Sequence, residues 1–355
     1  MERSRENLNQ QIGGKNNKKK PTMKDVANRS GVALSTVSHV INGTAPITEE
    51  VKRRVNQSIQ ELNYIPNALA RRLRQDRTHM IGIIVPDISN EFYSKTASTI
   101  IRHFSNDGYT TVMVDTGYSL KRMQKNVDTL IEQRIDGLIV LGGGNDEHIL
   151  NHAAETGVKV LLADRHYEDY PSVEFQYQEY MDQTICYLHE KRFRKIGYIS
   201  ESLDMVNLQE RYDGFIQAMK KYHVRINPDW IITDRWLQLE KMDSGKVVMQ
   251  ELIQKLEGYD MPEIIIASSD MIAIGIMDAL QENGYHVPED VGVIGIDDIA
   301  LARYCRPSLT TIRQDYEVFG RKCYATLKRY MEHNLRQKHY YIPGKLVIRN
   351  SIRKL

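Results

Sequence analysis

Hydrophobic positions follow two different rhythms along the 355 residues. From Thr22 to Leu62 they recur at helical spacing. Thr22 with Asp25 three residues on has the form of a capping box, and Val26 and Ala27 supply the apolar face behind it. Gly31 sits where a turn between helices needs a positive φ, and Val32 plugs the angle. Val37, Val40 and Ile41 share one face of a second helix, over Leu34 to Ile41. After a Gly43–Pro46 loop, Thr48 stands at the cap of a third helix, on which Val51, Val55, Ile59 and Leu62 close a small helical head.

From Met80 the rhythm changes. IGIIVPD, TTVMVDT, DGLIVLGG and VKVLLAD read as buried parallel strands, alternating with helices over Glu91–Asn106, Lys121–Gln133 and His148–Thr156. A second series follows: helix Tyr180–Glu190, strand KIGYIS, helices Gln209–Tyr222 and Ser244–Leu256, strand EIIIASS, helix Met271–Asn283 and strand VGVIGIDD. A strand-like segment, Lys345–Asn350, comes near the end. Two βα series of similar make-up predict an α/β chain: a small all-α helix-turn-helix head, then two lobes, each with a doubly wound parallel sheet.

The second helix carries the first chemistry. With its apolar face inward, Leu34, Ser35, Ser38, His39 and Asn42 are left outside. This set is short and mostly uncharged, suited to approaching base edges in a DNA major groove, as the second helix of a helix-turn-helix does. Charge agrees. Residues 1–76 hold 14 Lys/Arg against 7 Asp/Glu, net +7, so the rest of a chain of net +2 carries −5. A basic head on a mildly acidic body suits nucleic-acid binding. Residues 1–20, rich in Asn, Gln and Lys, read as a disordered basic arm that either adds phosphate attraction or only solubilises. Tyr64–Arg74, with Pro66 at a helix start, reads as a helix too short to stand alone in water.

The wording of these segments is specific. DVA…SGV…STVS.VIN, then PNALARRL, resembles the LacI/GalR family of bacterial transcription regulators. DMIAIGIMDAL, VPEDVGVIGIDD, LTTIRQDYEVFG and the Arg211…Gly214-Phe215 pair extend the resemblance over nearly all of 22–355. It implies a type I periplasmic-binding-protein-like core and a division into head 21–65, hinge helix 66–76 and core 77–343. The core's first lobe is about 77–176 with 312–343, its second about 177–311, with a C-terminal strand and tail at 344–355. It further implies base contacts by Leu34, Ser35 and His39, phosphate contacts by Thr22, Thr36, Ser38 and Asn42, and minor-groove insertion by Ala70 and Leu73, where an apolar wedge exchanges unstacking for a bend.

In open α/β sheets, ligands bind outside the carboxyl ends of the strands. Asp87, Asp164, Arg165, Ser269, Asp270, Asp297 and Asp298 all fall at such ends, while Phe92 and Arg211 open helices beyond them. Carboxylates and an arginine fork suit the vicinal hydroxyls of a polyol. Helix capping or interlobe ion pairing is the competing use, strongest for Asp270 and Asp298. The resemblance assigns effector binding to Phe92, Asp164, Arg211, Ser269, Asp270 and Asp297, with the aromatic stacking on the ligand.

Three departures from the family pattern bear on function. Gln176, Tyr177 and Tyr180 replace an Asp, an Asn and a Gly at the lobe crossover, and so argue against a simple hexose effector. Ala33 replaces a capping Ser. His39 replaces an Arg that could grip guanine with two hydrogen bonds.

Other classes are excluded in turn. Gly142–Gly144 lacks the GK[ST] ending of a phosphate loop, and no nucleophile elbow or HExxH spacing occurs. Cys186, Cys305 and Cys323 have no CxxC spacing, so neither disulfides nor a zinc site are expected, and no cofactor. No apolar run is long enough to span a membrane, and the basic N-terminus has no signal-like apolar stretch. The expectation is a cytoplasmic, non-enzymatic repressor. It forms a homodimer on a pseudo-palindromic operator, since no leucine-heptad tail follows the core, and it responds to a carbohydrate-type effector. The alternatives are a global regulator with a protein corepressor and, further off, a solute-binding protein.

Overall fold

The computed structural model describes residues 21–65, 77–144, 146–235, 237, 240–256, 260–333 and 339–353. The proposed arm (1–20) and hinge (66–76), with Ala70 and Leu73, lie outside the described residues. The chain divides into two compact units, residues 1–77 and 78–355.

In the first unit, α1 (Met23–Ser30), α2 (Leu34–Asn42) and α3 (Glu49–Glu61) close on a core of Val26, Ala27, Val37, Val55 and Tyr64. The capping box forms: Asp25 N–H donates to Thr22 Oγ1, and Thr22 N–H donates back to the Asp25 carboxylate at 2.7 Å. Gly31 ends α1 at φ 66°, a left-handed conformation glycine adopts without strain. Thr48 stands at the α3 cap position without making the expected side-chain bond. Ala33 likewise caps α2 with no side-chain hydrogen bond, at φ −63° and ψ 151°, the extended geometry a capping serine uses. Ala33→Ser is therefore expected to stabilise the head by about 1 kcal/mol. Slower hydrogen exchange of the α2 amides in the full chain checks this; unchanged exchange would show the first turn already satisfied.

The second unit holds two six-stranded sheets of matching design. In the first, β1 (Met80–Val85), β2 (Thr110–Asp115), β3 (Gly137–Leu141), β4 (Lys159–Ala163) and β5 (Ser172–Phe175) run in the order β2-β1-β3-β4-β5, with β11 (His339–Ile342) beyond β5. In the second, β6 (Ile196–Glu201), β7 (Ile231–Arg235), β8 (Ile264–Ala267), β9 (Gly292–Asp297) and β10 (Thr310–Arg313) run as β7-β6-β8-β9-β10, closed by β12 (Lys345–Val347). Among the described residues only β12 pairs antiparallel, on β10. The central strands are buried on both faces, as continuous Ile/Val/Leu runs require. The strand order reverses between β1 and β3 and between β6 and β8, which opens a crevice at their carboxyl ends in each sheet.

The helices are α4 (Glu91–Asn106), α5 (Leu120–Glu132), α6 (Glu147–Glu155), α7 (Tyr177–Glu190), α8 (Val206–Lys221), α9 (Lys241–Leu256), α10 (Asp270–Glu282), α11 (Leu301–Tyr304) and α12 (Tyr316–His333). The chain passes between lobes after β5, after β10 and between β11 and β12, and α12 packs back on α4 of the first lobe. The second crossing follows Arg313, two residues beyond the expected boundary, because β10 pairs with β9 as far as Asp297.

The strand readings at β1–β4, β6, β8 and β9 are observed, but β5, β7, β10 and β11 were not predicted. Those four are short, and two of them include exposed, polar positions that blur the apolar run. Helices α7, α8 and α9 begin three residues earlier than predicted, at Tyr177, Val206 and Lys241. The α7 and α8 caps are Gln176 and Met205, neither of which bonds the helix end, so no capping signal marks those starts.

Candidate functional site

On the head, the outer face of α2 matches the reading from spacing. Leu34 is 50% exposed, Ser35 is exposed, and Thr36, Ser38, His39 and Asn42 are partly exposed, while Val37 is fully buried. Two internal bonds order this face: His39 Nδ1 with Thr44 Oγ1 at 2.8 Å, and Asn42 Nδ2 donating to Ser38 Oγ at 3.2 Å. Thr22 is exposed at the α1 terminus, where backbone N–H groups attract anions.

In the core, strand ends from both lobes meet around a cavity of about 20 Å3, room for roughly one water molecule. Phe92, Arg211, Ser269 and Asp297 of the predicted residues line it, joined by Asn90, Tyr93, Glu201, Asn207, Lys241 and Ser268. Arg211 donates to the Ser268 carbonyl at 2.8 Å and to Gln314 Oε1 at 3.2 Å, and stands 3.6 Å from the Asp164 carboxylate. Opposite lies a second buried pair, Lys241 Nζ to Glu201 at 2.6 Å, with Ser268 Oγ donating to the same carboxylate. Each charge needs a partner here, because desolvation alone costs several kcal/mol per ion.

Asp164 is placed differently from expectation. Tyr177 Oη donates to one oxygen at 2.5 Å and Asn207 Nδ2 to the other at 2.7 Å, so the carboxylate lies behind these side chains rather than in the cavity wall. Burial pushes its carboxyl above the usual range, against the pull of Arg211 and these two hydrogen bonds. Tyr177 is one of the departures from the family pattern, and here its hydroxyl takes one of the two Asp164 oxygens. Asp270 is also spent internally: Thr311 Oγ1 donates to one oxygen and Ile299 N–H to the other at 2.9 Å. It anchors the loop after β9 and does not line the cavity. Asp298 pairs with Arg313 at 2.6 Å and with Arg349, ion pairs within the second lobe, not the expected interlobe bridge. Phe92 packs on Phe175 and Phe319, with ring centroids 5.9 Å from each, and lines the cavity. Asp164, Asp297 and Asp298 all hold left-handed φ angles, of 61°, 123° and 59°. Such strain gathers where strand ends are bent to serve a site.

Asp297 lines the cavity as a nearly buried carboxylate, raised to about 7 by that burial against the pull of Arg211 and Lys241. Around Arg211, three further polar atoms are buried without a partner: Arg211 Nε, Gln314 Nε2 and Asn207 Oδ1. A neighbouring cavity of about 350 Å3 shares Met205 with the first. It is lined by Thr116, Tyr118, Ser119, Gly142–Gly144, Asp204 and apolar side chains of β1, β3 and α5. Glu201 could have been found by the strand-end rule that found Asp297. Asn207 could not, since its helix starts at a Met205 cap that makes no side-chain bond.

A helix-turn-helix head and a two-lobed core closing on a polar cleft are the build of a DNA-binding transcriptional regulator with a ligand-binding core. Similarity to known proteins agrees over most of the chain. Residues 22–67 match the bacterial regulatory proteins of the lacI family, and residues 185–352 match a periplasmic binding protein-like domain. A PurR-type HTH transcriptional repressor of Vibrio parahaemolyticus is 32% identical over 349 residues, covering 94% of this chain and 99% of that one. The ribose operon repressor of Haemophilus influenzae is 30% identical over 342 residues, with the same coverage. Among solved structures, a lac repressor dimer bound to operator and the anti-inducer ONPF superposes with a TM-score of 0.82 at 24% identity, covering 94% of this chain and 99% of that one. The CelR–cellobiose complex gives a TM-score of 0.70 at 25% identity, covering 93% and 99%. The chain belongs to the lacI family of bacterial regulatory proteins.

Proposed function

We propose that this regulator is a cytoplasmic, non-enzymatic repressor that binds a pseudo-palindromic operator as a homodimer and is controlled by a polar small molecule of carbohydrate type. In the head, Leu34, Ser35 and His39 read bases, Thr22, Thr36, Ser38 and Asn42 hold phosphates, and Ala70 and Leu73 of the hinge enter the minor groove. The relatives support this reading: one is a lac repressor dimer described on operator, another a regulator in complex with cellobiose.

One observation carries the effector assignment: Arg211 Nε, Gln314 Nε2 and Asn207 Oδ1 are buried, partnerless and close to the cleft. Two donors and an acceptor left unmade favour a ligand that both donates and accepts, as vicinal hydroxyls do. The effector contacts are then Phe92, Arg211, Ser269 and Asp297 directly. Asp164 joins them once Tyr177 swings away, and Asp270 serves as a support for Asp297. Because the closed cavity holds about one water, the effector enters an opened form and shifts the lobe angle, a coupling between two sites through a two-state element. The sealing of Asp164 by Tyr177 favours one second reading, a global regulator whose corepressor is a protein and whose cleft stays shut.

A thermal-shift screen with sugars, uronates, sugar phosphates and nucleobases, followed by operator titration with each hit, separates the two. Stabilisation by a polyol together with changed operator affinity supports the first reading. No hit from any class supports the second. For the DNA side, Leu73→Ala is expected to weaken specific operator binding by at least about tenfold, the scale of an unstacking wedge, while leaving non-specific binding nearly unchanged. Equal loss on both would remove the hinge wedge.

A further inference from the structure

Beside the cleft, the fold gathers a second set of charged side chains, none of which lines the cavity. His166 follows β4, Glu174 lies on β5 and His339 opens β11, all in the first lobe, while Glu210 stands on α8 of the second. His166 Nδ1 is 2.8 Å from Glu174 Oε2 and 3.4 Å from Glu210 Oε1. One donor atom from each of these three residues lies within 4.8 Å of the other two. His339 Nδ1 stands 4.0 Å from Glu174 Oε1, and Ser172 Oγ donates to that same oxygen.

This cluster is short of positive charge. Glu174 is only 1% exposed, and among the described residues its charged partners are histidines alone, with no Lys or Arg. Glu210 Oε2 is buried and has no hydrogen-bond partner. With no Lys or Arg among the described residues paired to either carboxylate, the cluster has room for a cation, and a buried carboxylate oxygen left without a partner is costly.

We propose that His166, Glu174 and Glu210 bind a divalent first-row transition-metal ion that ties α8 of the second lobe to the edge of the first-lobe sheet. One imidazole and two carboxylates are a donor set such ions take, at bond lengths of about 2.0–2.2 Å. The donor separations of 2.8 and 3.4 Å suit ligands around a single centre. Ser172 and His339 orient Glu174 from behind, as outer-sphere partners orient ligands elsewhere. Glu210 immediately precedes Arg211, so an ion here fixes the start of the helix that carries the cleft's arginine. Metal occupancy and effector response are thereby linked through one turn of α8.

Co2+ added alone to chelator-treated full-length protein tests the site, because its visible bands report nitrogen and oxygen ligation and thiolate ligation separately. The expected result is one ion per chain, ligand-field bands without a thiolate charge-transfer band, and a raised melting temperature. Glu210→Gln and His166→Gln should each weaken binding by at least about tenfold while melting like the wild type without metal. His223→Gln, exposed two residues beyond the end of α8, should bind as the wild type does. Absence of saturable uptake, a thiolate signature from Cys186, Cys305 or Cys323, or equal binding by all three variants would each overturn the site. The wild-type spectrum decides the matter even if a variant fails to fold.

Discussion

Arg211→Ala is expected to lower the stability of the core by about 3–5 kcal/mol, the cost of stranding a buried partner charge. Arg211 is 4% exposed and is the only cation within ion-pairing distance of the fully buried Asp164 among the described residues. Without it, the Ser268 carbonyl and Gln314 Oε1 also lose their donor. Urea unfolding of the full chain, followed on the core, measures the loss. Adding Asp164→Asn should recover more than half of it, because the neutral amide removes the stranded charge and can still pair with Tyr177 and Asn207. If the double variant is as unstable as the single one, Arg211 acts through packing, not charge.

Gly275→Ala should cost at least about 3 kcal/mol, the upper end for forcing an atom into a packed interior. Helices α9 and α10 cross backbone to backbone. A Cβ on Gly275 would lie 1.9 Å from the Met242 carbonyl oxygen, and one on Gly245 2.6 Å from that of Ile272. Neither obstacle is a side chain that can turn aside, so the helices must separate. That separation shifts the N-terminus of α10, where Ser269 and Asp270 sit. Denaturant midpoints measure the effect, and a loss below about 1 kcal/mol would mean that the pair slides apart cheaply.

Legibility from sequence followed the strength of local signals. The head was readable almost residue by residue, because a capping box, a turn glycine and a helical apolar period all act within a few positions. The β1–β4, β6, β8 and β9 strands were readable for a related reason: burial on both faces demands continuous aliphatic runs. Edge strands such as β7 and β11 gave no such run, and α7 and α8 start on residues that do not cap. Of the predicted effector residues, Phe92, Arg211, Ser269 and Asp297 meet at one cavity, whereas Asp164 and Asp270 lie behind it with both carboxylate oxygens taken. The strand-end rule finds where a carboxylate stands, not which neighbour reaches it first.

The sequence by itself determined the class of this protein: the outer face of α2, the two βα series and the polar strand ends are properties of spacing along the chain. Only the tertiary structure decided how the cleft and the charged cluster beside it are wired. The pairing of Lys241 with Glu201, the capture of Asp164 by Tyr177, and the meeting of His166, Glu174 and Glu210 join residues 8 to 44 positions apart. No local period encodes such meetings, because they depend on how two sheets and their crossing segments pack.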